Sequence, residues 1–262
     1  MDIEQGFAVL GTVDTAEAFA VADDHGFDFL ELDMEQAFPA SQLDADRIRT
    51  LRDRHDIDII VHLPYSFDVG TPYDHVRTGA CAELEAAIDM ALDIGATKGV
   101  YHASTGVGSD PWSVDTLRES LFESVTRLCA YVEGRDIELC VENMPGSYFS
   151  TDLWPDLFQQ TNAQLCLDTG HAEIMETDGN EQAVLLREYG ERISHVHLND
   201  IRGHGDDEHL PIGMGAVEFE PITRTMVETN WNGTCTHELF AFNLAYTIES
   251  QRQFEAHLAD AE

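Results

Sequence analysis

Nine residues able to bind a metal or move a proton lie at, or just after, the ends of short apolar runs. They are His62 in VHLPY, His102 in VYHAS, Glu142 in VENMPG, Asp168 and His171 in LDTGH, His197 in HVHLND, Asp207 and His209 in DDEHLP, and Glu238 in THELF. A single histidine at such a point usually hydrogen-bonds within the rim of a fold, and a single carboxylate often caps a helix. Recurrence at six successive strand ends is not explained by capping. Carboxylates gathered together repel one another and resist ionising unless a cation lies between them. Mixed imidazole and carboxylate ligation suits a divalent transition metal, zinc or manganese, and these residues could hold one to three ions.

These groups must be positioned by elements whose residues alternate or repeat with recognisable periods. The richest stretch is Glu191 to Gly215. Its strand, Ile193 to Leu198, puts His195 and His197 on one face, and a polar loop then carries Asp207 and His209 to Pro211, Gly213 and Gly215. Strands are expected at 7–12, 27–33, 57–63, 98–102, 137–142, 164–168, 193–198 and 234–239. Helices are expected at 16–25, 45–54, 77–94, 113–133, 151–160, 181–189, 220–230 and 244–257. Eight strand–helix units in 262 residues imply an α/β protein with a parallel sheet, closed as a single (β/α)8 TIM barrel over residues 1–262. An open doubly wound sheet would usually show a Gly-rich first turn, and none follows Thr12. Barrel enzymes place their active residues at the C-terminal ends of strands, where the nine groups fall. The other histidines (His25, His55, His75, His195, His204, His237 and His257) are expected at the surface, in loops or in support, with His195 one layer below His197.

Fifty acidic residues stand against 14 basic ones, a formal charge of -36, and Lys98 is the sole lysine. The acid is dispersed along the chain, which predicts a hydrated surface whose self-repulsion needs screening by salt, as in a halophilic cytoplasm. The same charge disfavours non-specific polyanion binding at low salt, a repulsion that molar salt mostly screens, and nucleic acid is not the expected partner. Cys81, Cys129, Cys140, Cys166 and Cys235 are odd in number, lack CxxC spacing and are expected as buried free thiols. No secretory leader pattern and no 18-residue apolar run is visible, so a cytoplasmic, membrane-free protein is expected. Oligomeric state is not legible.

VENMPG, LDTGH, HLND…DDEHLPIGMG and HELF together resemble the xylose isomerase-like TIM-barrel superfamily across the whole barrel. That group includes sugar and sugar-phosphate isomerases and epimerases, and the endonuclease IV type of abasic-site endonucleases. By motif, the resemblance implies that Glu142, Asp168, His197 and Glu238 form the one-metal site of the epimerase branch. The trinuclear zinc site of the endonuclease branch would add His62, His102, His171, Asp207 and His209. GFAVLGT and GFDFLELDM look like the isomerase branch, and the loop EQAFPASQLDAD has no basic residue of the kind DNA-contacting loops carry. Substrate contacts do not transfer, because the region after strand five reads PGSYF and only Arg202 follows strand seven.

The favoured expectation is a metal-dependent isomerase or epimerase of a carbohydrate-like small molecule. Glu142 and Glu238 would exchange the proton beside a carbonyl, with His62, His171 and Arg202 binding substrate. The alternatives are an abasic-site phosphodiesterase using all nine residues and a non-catalytic metal- or ligand-binding barrel.

Overall fold

The computed structural model describes residues 2–261 apart from positions 12, 40, 147, 149, 204 and 242 and the side chain of 152. The expected strand residue Thr12 and the expected loop residue His204 thus lie outside the described residues. Eight parallel strands close on themselves in chain order: β1 (Ile3–Val9), β2 (Phe29–Asp33), β3 (Asp58–His62), β4 (Lys98–His102), β5 (Glu138–Glu142), β6 (Gln164–Asp168), β7 (Ile193–Leu198) and β8 (Gly233–His237). The helices are α1 (Thr15–His25), α2 (Ala45–His55), α3 (Asp74–Asp93), α4 (Val114–Val132), α5 (Trp154–Gln160), α6 (Thr169–Ile174), α7 (Gly179–Tyr189), α8 (Phe219–Glu228) and α9 (Ala245–Ala261). This is the (β/α)8 barrel that the strand–helix alternation implies.

Local chemistry explains where the helices begin. The Asp14 carboxylate accepts from Ala16 N and Glu17 N, both at 3.0 Å, and α1 stops at Gly26, whose φ of 71° suits glycine. Asp178 and Glu181 form a reciprocal capping box at the start of α7. Each helix then buries one stripe against the sheet, as α8 does with Phe219, Ile222 and Met226. A fully buried side chain of this size contributes about 1.5–3 kcal/mol.

Apolar side chains fill the space between sheet and helices, whereas the barrel interior is largely polar. Among the described residues, a small apolar cluster separate from the main core is made of Val100, Cys140 and Cys166. All five cysteines are free, and four are buried. Most element ends fall within a few residues of the sequence reading, and the largest differences are at β1 and after β6. β1 begins at Ile3 rather than Phe7 because Ile3 pairs with Gly233 where the barrel closes on β8. The short helix α6 was not expected; it starts because the Asp168 carboxylate accepts from His171 N at 2.6 Å. Between β6 and β7 the register shifts, Leu165 facing Ile193 and Cys166 facing His195, and His195 and His197 then share the inner face.

Candidate metal centre

The ends of β3 to β8 bring the nine residues together around one carboxylate. Glu142 Oε2 lies 3.4 Å from His62 Nε2 and 3.2 Å from His102 Nε2, while Oε1 lies 3.0 Å from His171 Nδ1 and 3.5 Å from His197 Nδ1. His197 Nδ1 also faces Glu238 Oε2 at 3.0 Å and Asp168 Oδ2 at 3.8 Å. Asp207 spans two rings, 3.4 Å from His171 Nε2 and 2.9 Å from His209 Nε2. Four groups have metal-ligand spacing: His62–His102–Glu142, Glu142–Asp168–His197–Glu238 and Asp168–His171–His209 are linked through Glu142 and Asp168, and a fourth joins Cys166 and His195 to His197. Arg202 does not join them. Its exposed guanidinium is held by Glu208, and it does not line the cavity above the cluster.

The loop after β7 is built to deliver Asp207 and His209. Asp200 and Leu210 exchange two backbone hydrogen bonds at 2.8 Å, closing the loop. The buried Asp200 carboxylate then accepts from the backbone N–H groups of Ile201, Gly213, Gly215 and Val217 at 2.7 to 3.0 Å. Gly215 must lack a side chain, since a Cβ there would sit 2.2 Å from Ile201 O. His209 adopts a φ of 44°, uncommon for a non-glycine residue, and its ring stacks on Phe240 with centroids 4.1 Å apart. Replacing Asp200 with alanine leaves those N–H groups without their charged acceptor and is expected to cost about 3 kcal/mol. Denaturant melting in molar KCl checks this; a loss below about 1 kcal/mol would show that the loop is held by other contacts.

On β5 and β6, Asn143 fixes the carboxylate ends. Its Oδ1 accepts from Asp168 N at 2.8 Å and its Nδ2 donates to Asp168 O at 3.0 Å. Asn199 Nδ2 donates to Asp168 Oδ2 at 2.6 Å, and Gly170 leaves room for that amide, as a Cβ would meet Asn199 Oδ1 at 1.9 Å.

The ring orientations fit a cation. His62 Nδ1 faces Leu63 O at 3.0 Å, His171 Nδ1 faces Asn143 O at 3.1 Å and His209 Nδ1 faces Glu238 O at 3.0 Å. A carbonyl can only accept, so each of these nitrogens donates, and the opposite nitrogen of each ring is the one that would give a lone pair to a metal once its proton is displaced. Among the described residues, His171 Nε2, His197 Nδ1 and Glu238 Oε2 are buried and meet charged neighbours at 3.0 to 3.4 Å without hydrogen-bond geometry. Buried polar atoms left in this state are costly and call for an explanation, which a bound cation supplies. The donor set of imidazoles and carboxylates suits zinc or manganese.

Charge is strongly coupled here. Burial would raise the Glu142 carboxyl, but His197 and His102 beside it outweigh burial and hold it well below the usual carboxylate range. Burial would lower His62, yet the hydrogen bond and charge of Glu142 lift it to about 9. His209 is likewise lifted to about 9 against burial, chiefly by the charge of Glu238 and the hydrogen bond to Asp207. Asp168 is pushed up to about 6 by burial, with His171 opposing that rise. Below about pH 9 protons therefore occupy nitrogens that a metal needs. Metal affinity is expected to rise by about tenfold per pH unit for each proton displaced, flattening near that pH. Zinc titrations between pH 6 and 9 test this, and an affinity independent of pH would contradict it.

The sequence reading missed Glu31, which lies buried on β2 against His195 and His197 at 3.2 Å each. Alternation places it inward with Asp33, but nothing local marks its partners. Of the other histidines, His25 and His75 are exposed, His55 and His257 are half-buried, and His195 and His237 are buried. His237 bonds Ser250 on α9, and burial lowers it to about 3.

Residues 19–259 match the model of the xylose isomerase-like TIM-barrel family. The chain belongs to that family. An uncharacterised protein of Methanocaldococcus jannaschii, MJ1311, is 28% identical over 227 residues, covering 82% of this chain and 75% of its own. A probable endonuclease 4 of Mycobacterium leprae is 27% identical over 223 residues, 79% of this chain and 84% of that one. The crystal structure of a D-tagatose 3-epimerase-like protein superposes with a TM-score of 0.82 at 23% identity, covering 98% of each chain, which shows the shared fold. No helix among the described residues is long and apolar enough to cross a membrane.

Proposed function

We propose that this family member is a metal-dependent isomerase or epimerase of a neutral, hydroxyl-rich, carbohydrate-like molecule. The observation that carries this reading is the cavity over the metal-ligand cluster. It has a volume of about 590 Å³, and no lysine or arginine is among the described residues lining it. Its lining instead combines His62, His171, Glu238 and Gln36 with Tyr65 and Phe240, polar groups for hydroxyls beside aromatic faces for C–H surfaces. A phosphodiester substrate would bring negative charge to a site whose own carboxylates are not offset by basic side chains. The overall charge of -36 adds to that argument.

In this reading Glu142, Asp168, His197 and Glu238 would hold a divalent cation, which would supply Lewis-acid polarisation of a substrate carbonyl. Glu238, which reaches the cavity, removes the proton from the carbon beside the carbonyl or returns it. Glu142, beneath the imidazoles, is the second carboxylate of the exchange. His62 and His171 donate or accept at substrate hydroxyls. The test is proton exchange: zinc- or manganese-loaded protein in molar KCl is incubated with a panel of ketoses in deuterated water. Deuterium entering at the carbon beside the carbonyl supports the reading, and the absence of exchange across the panel counts against it.

A phosphodiesterase reading is favoured by one observation, the three overlapping ligand groups sharing Glu142 and Asp168. Elemental mass spectrometry on protein purified without chelator separates the two. One ion per chain is the expected result. Three zinc ions, together with cleavage of abasic duplex DNA, would replace the isomerase reading.

A further inference from the structure

Within the barrel, below the ligand cluster, runs a continuous chain of hydrogen bonds that the isomerase reading does not use. Lys98, the sole lysine, donates to Ser194 O at 2.7 Å and to Thr234 Oγ1 at 2.9 Å, and pairs with Glu138 at 3.2 Å. Thr234 Oγ1 lies 2.6 Å from His195 Nδ1, and His195 Nε2 lies 3.2 Å from Glu31 Oε2. Thr236 donates its hydroxyl to the same oxygen at 2.5 Å. The other oxygen, Glu31 Oε1, lies 3.2 Å from His197 Nε2.

The direction of every bond follows from what each group can do. An ammonium only donates, so Thr234 accepts from Lys98, and its own proton goes to His195 Nδ1 at 2.6 Å, the nearer of its two acceptors, rather than to Ser194 O at 3.3 Å. An ionised carboxylate only accepts, so His195 Nε2 and His197 Nε2 both carry protons directed at Glu31. His197 Nδ1 then faces Glu142, Asp168 and Glu238 and is the nitrogen that would give a lone pair to a cation held among them. Without Glu31, either nitrogen of His197 could carry the proton, and the wrong choice would aim an N–H at the ligand cluster.

We propose that Glu31 is a positioning residue that sets the tautomer of His197 for metal ligation, itself held in place by the buried Lys98–Thr234–His195 chain. The inference rests on the metal-centre reading above. Glu31 borders the floor of the cavity, but both of its oxygens are engaged by protein donors. A carboxylate behind a ligating imidazole also makes the ring a stronger donor, and loss of such a partner typically weakens metal binding about 10–100-fold.

The experiment compares wild type with Glu31→Ala, Glu31→Gln and Thr234→Val in molar KCl. Zinc affinity is measured by competition with a chromophoric chelator, and the ring nitrogens of His197 are followed by 15N NMR in zinc-loaded protein. The expected wild-type signature is a metal-shifted Nδ1 and a protonated Nε2. Glu31→Ala is expected to lose about 10–100-fold in affinity and to alter the His197 signature, with Thr234→Val moving both in the same direction by less. Glu31→Gln keeps the volume and is read in its place if the alanine variant does not fold. Wild-type affinity and an unchanged His197 signature in a folded Glu31 variant, even one with a lower melting temperature, would overturn the positioning role. Failure of wild-type protein to take up zinc would instead overturn the metal-centre reading beneath it.

Discussion

Glu142→Gln is expected to lower turnover by about a thousandfold or more while leaving the barrel folded. The carboxylate touches four imidazoles and belongs to two of the four ligand groups. Glutamine keeps the shape but removes the charge, so the site loses a ligand and the proposed acid–base group together. Glu238→Gln is expected to lose a similar factor with a smaller loss of metal, since Glu238 belongs to one ligand group and borders the cavity. Circular dichroism in molar KCl, metal content and initial rates distinguish these effects. Near wild-type rates in either variant would remove that glutamate from the mechanism.

The second large effect concerns salt. With 50 acidic and 14 basic residues, the folded surface repels itself at long range wherever counterions are dilute. Several ion pairs oppose this, such as Arg127–Glu85 at 2.7 Å and Arg77–Glu123 at 2.8 Å, but exposed pairs contribute about 0–1 kcal/mol each. Moving from molar KCl to about 0.05 M should therefore lower the melting temperature by about 10 °C or more, equivalent to a few kcal/mol in a chain of this size. Unfolding followed by calorimetry across a KCl series tests it. A flat dependence would mean that the acidic surface is not a salt adaptation.

Much of the barrel was legible because its strands are short β-branched and apolar runs with sharp ends. β4, β6 and β7 begin and end where their residues suggest. β1 was read too late because Glu4 and Gln5 look like loop residues, and only pairing with β8 extends the strand back to Ile3. Likewise α6 is a product of one carboxylate capping His171 N, an interaction that periodicity does not register.

The site divides in the same way. Residue type and strand-end position by themselves determined which nine groups could gather, because a parallel barrel sends every strand's C-terminal end to one face. They also determined that His195 would sit behind His197, since strand side chains alternate. Which nitrogen of each ring faces the cluster was decided only in three dimensions, by acceptors such as Leu63 O, Asn143 O and Glu238 O. The place of Glu31 was decided there too. Its contacts to His195 and His197 span 164 and 166 residues, and they exist only because barrel closure brings β8 beside β1 and so sets β7 across from β2. Local sequence carries propensity and period; a hydrogen bond across a closed barrel depends on the register of every strand between.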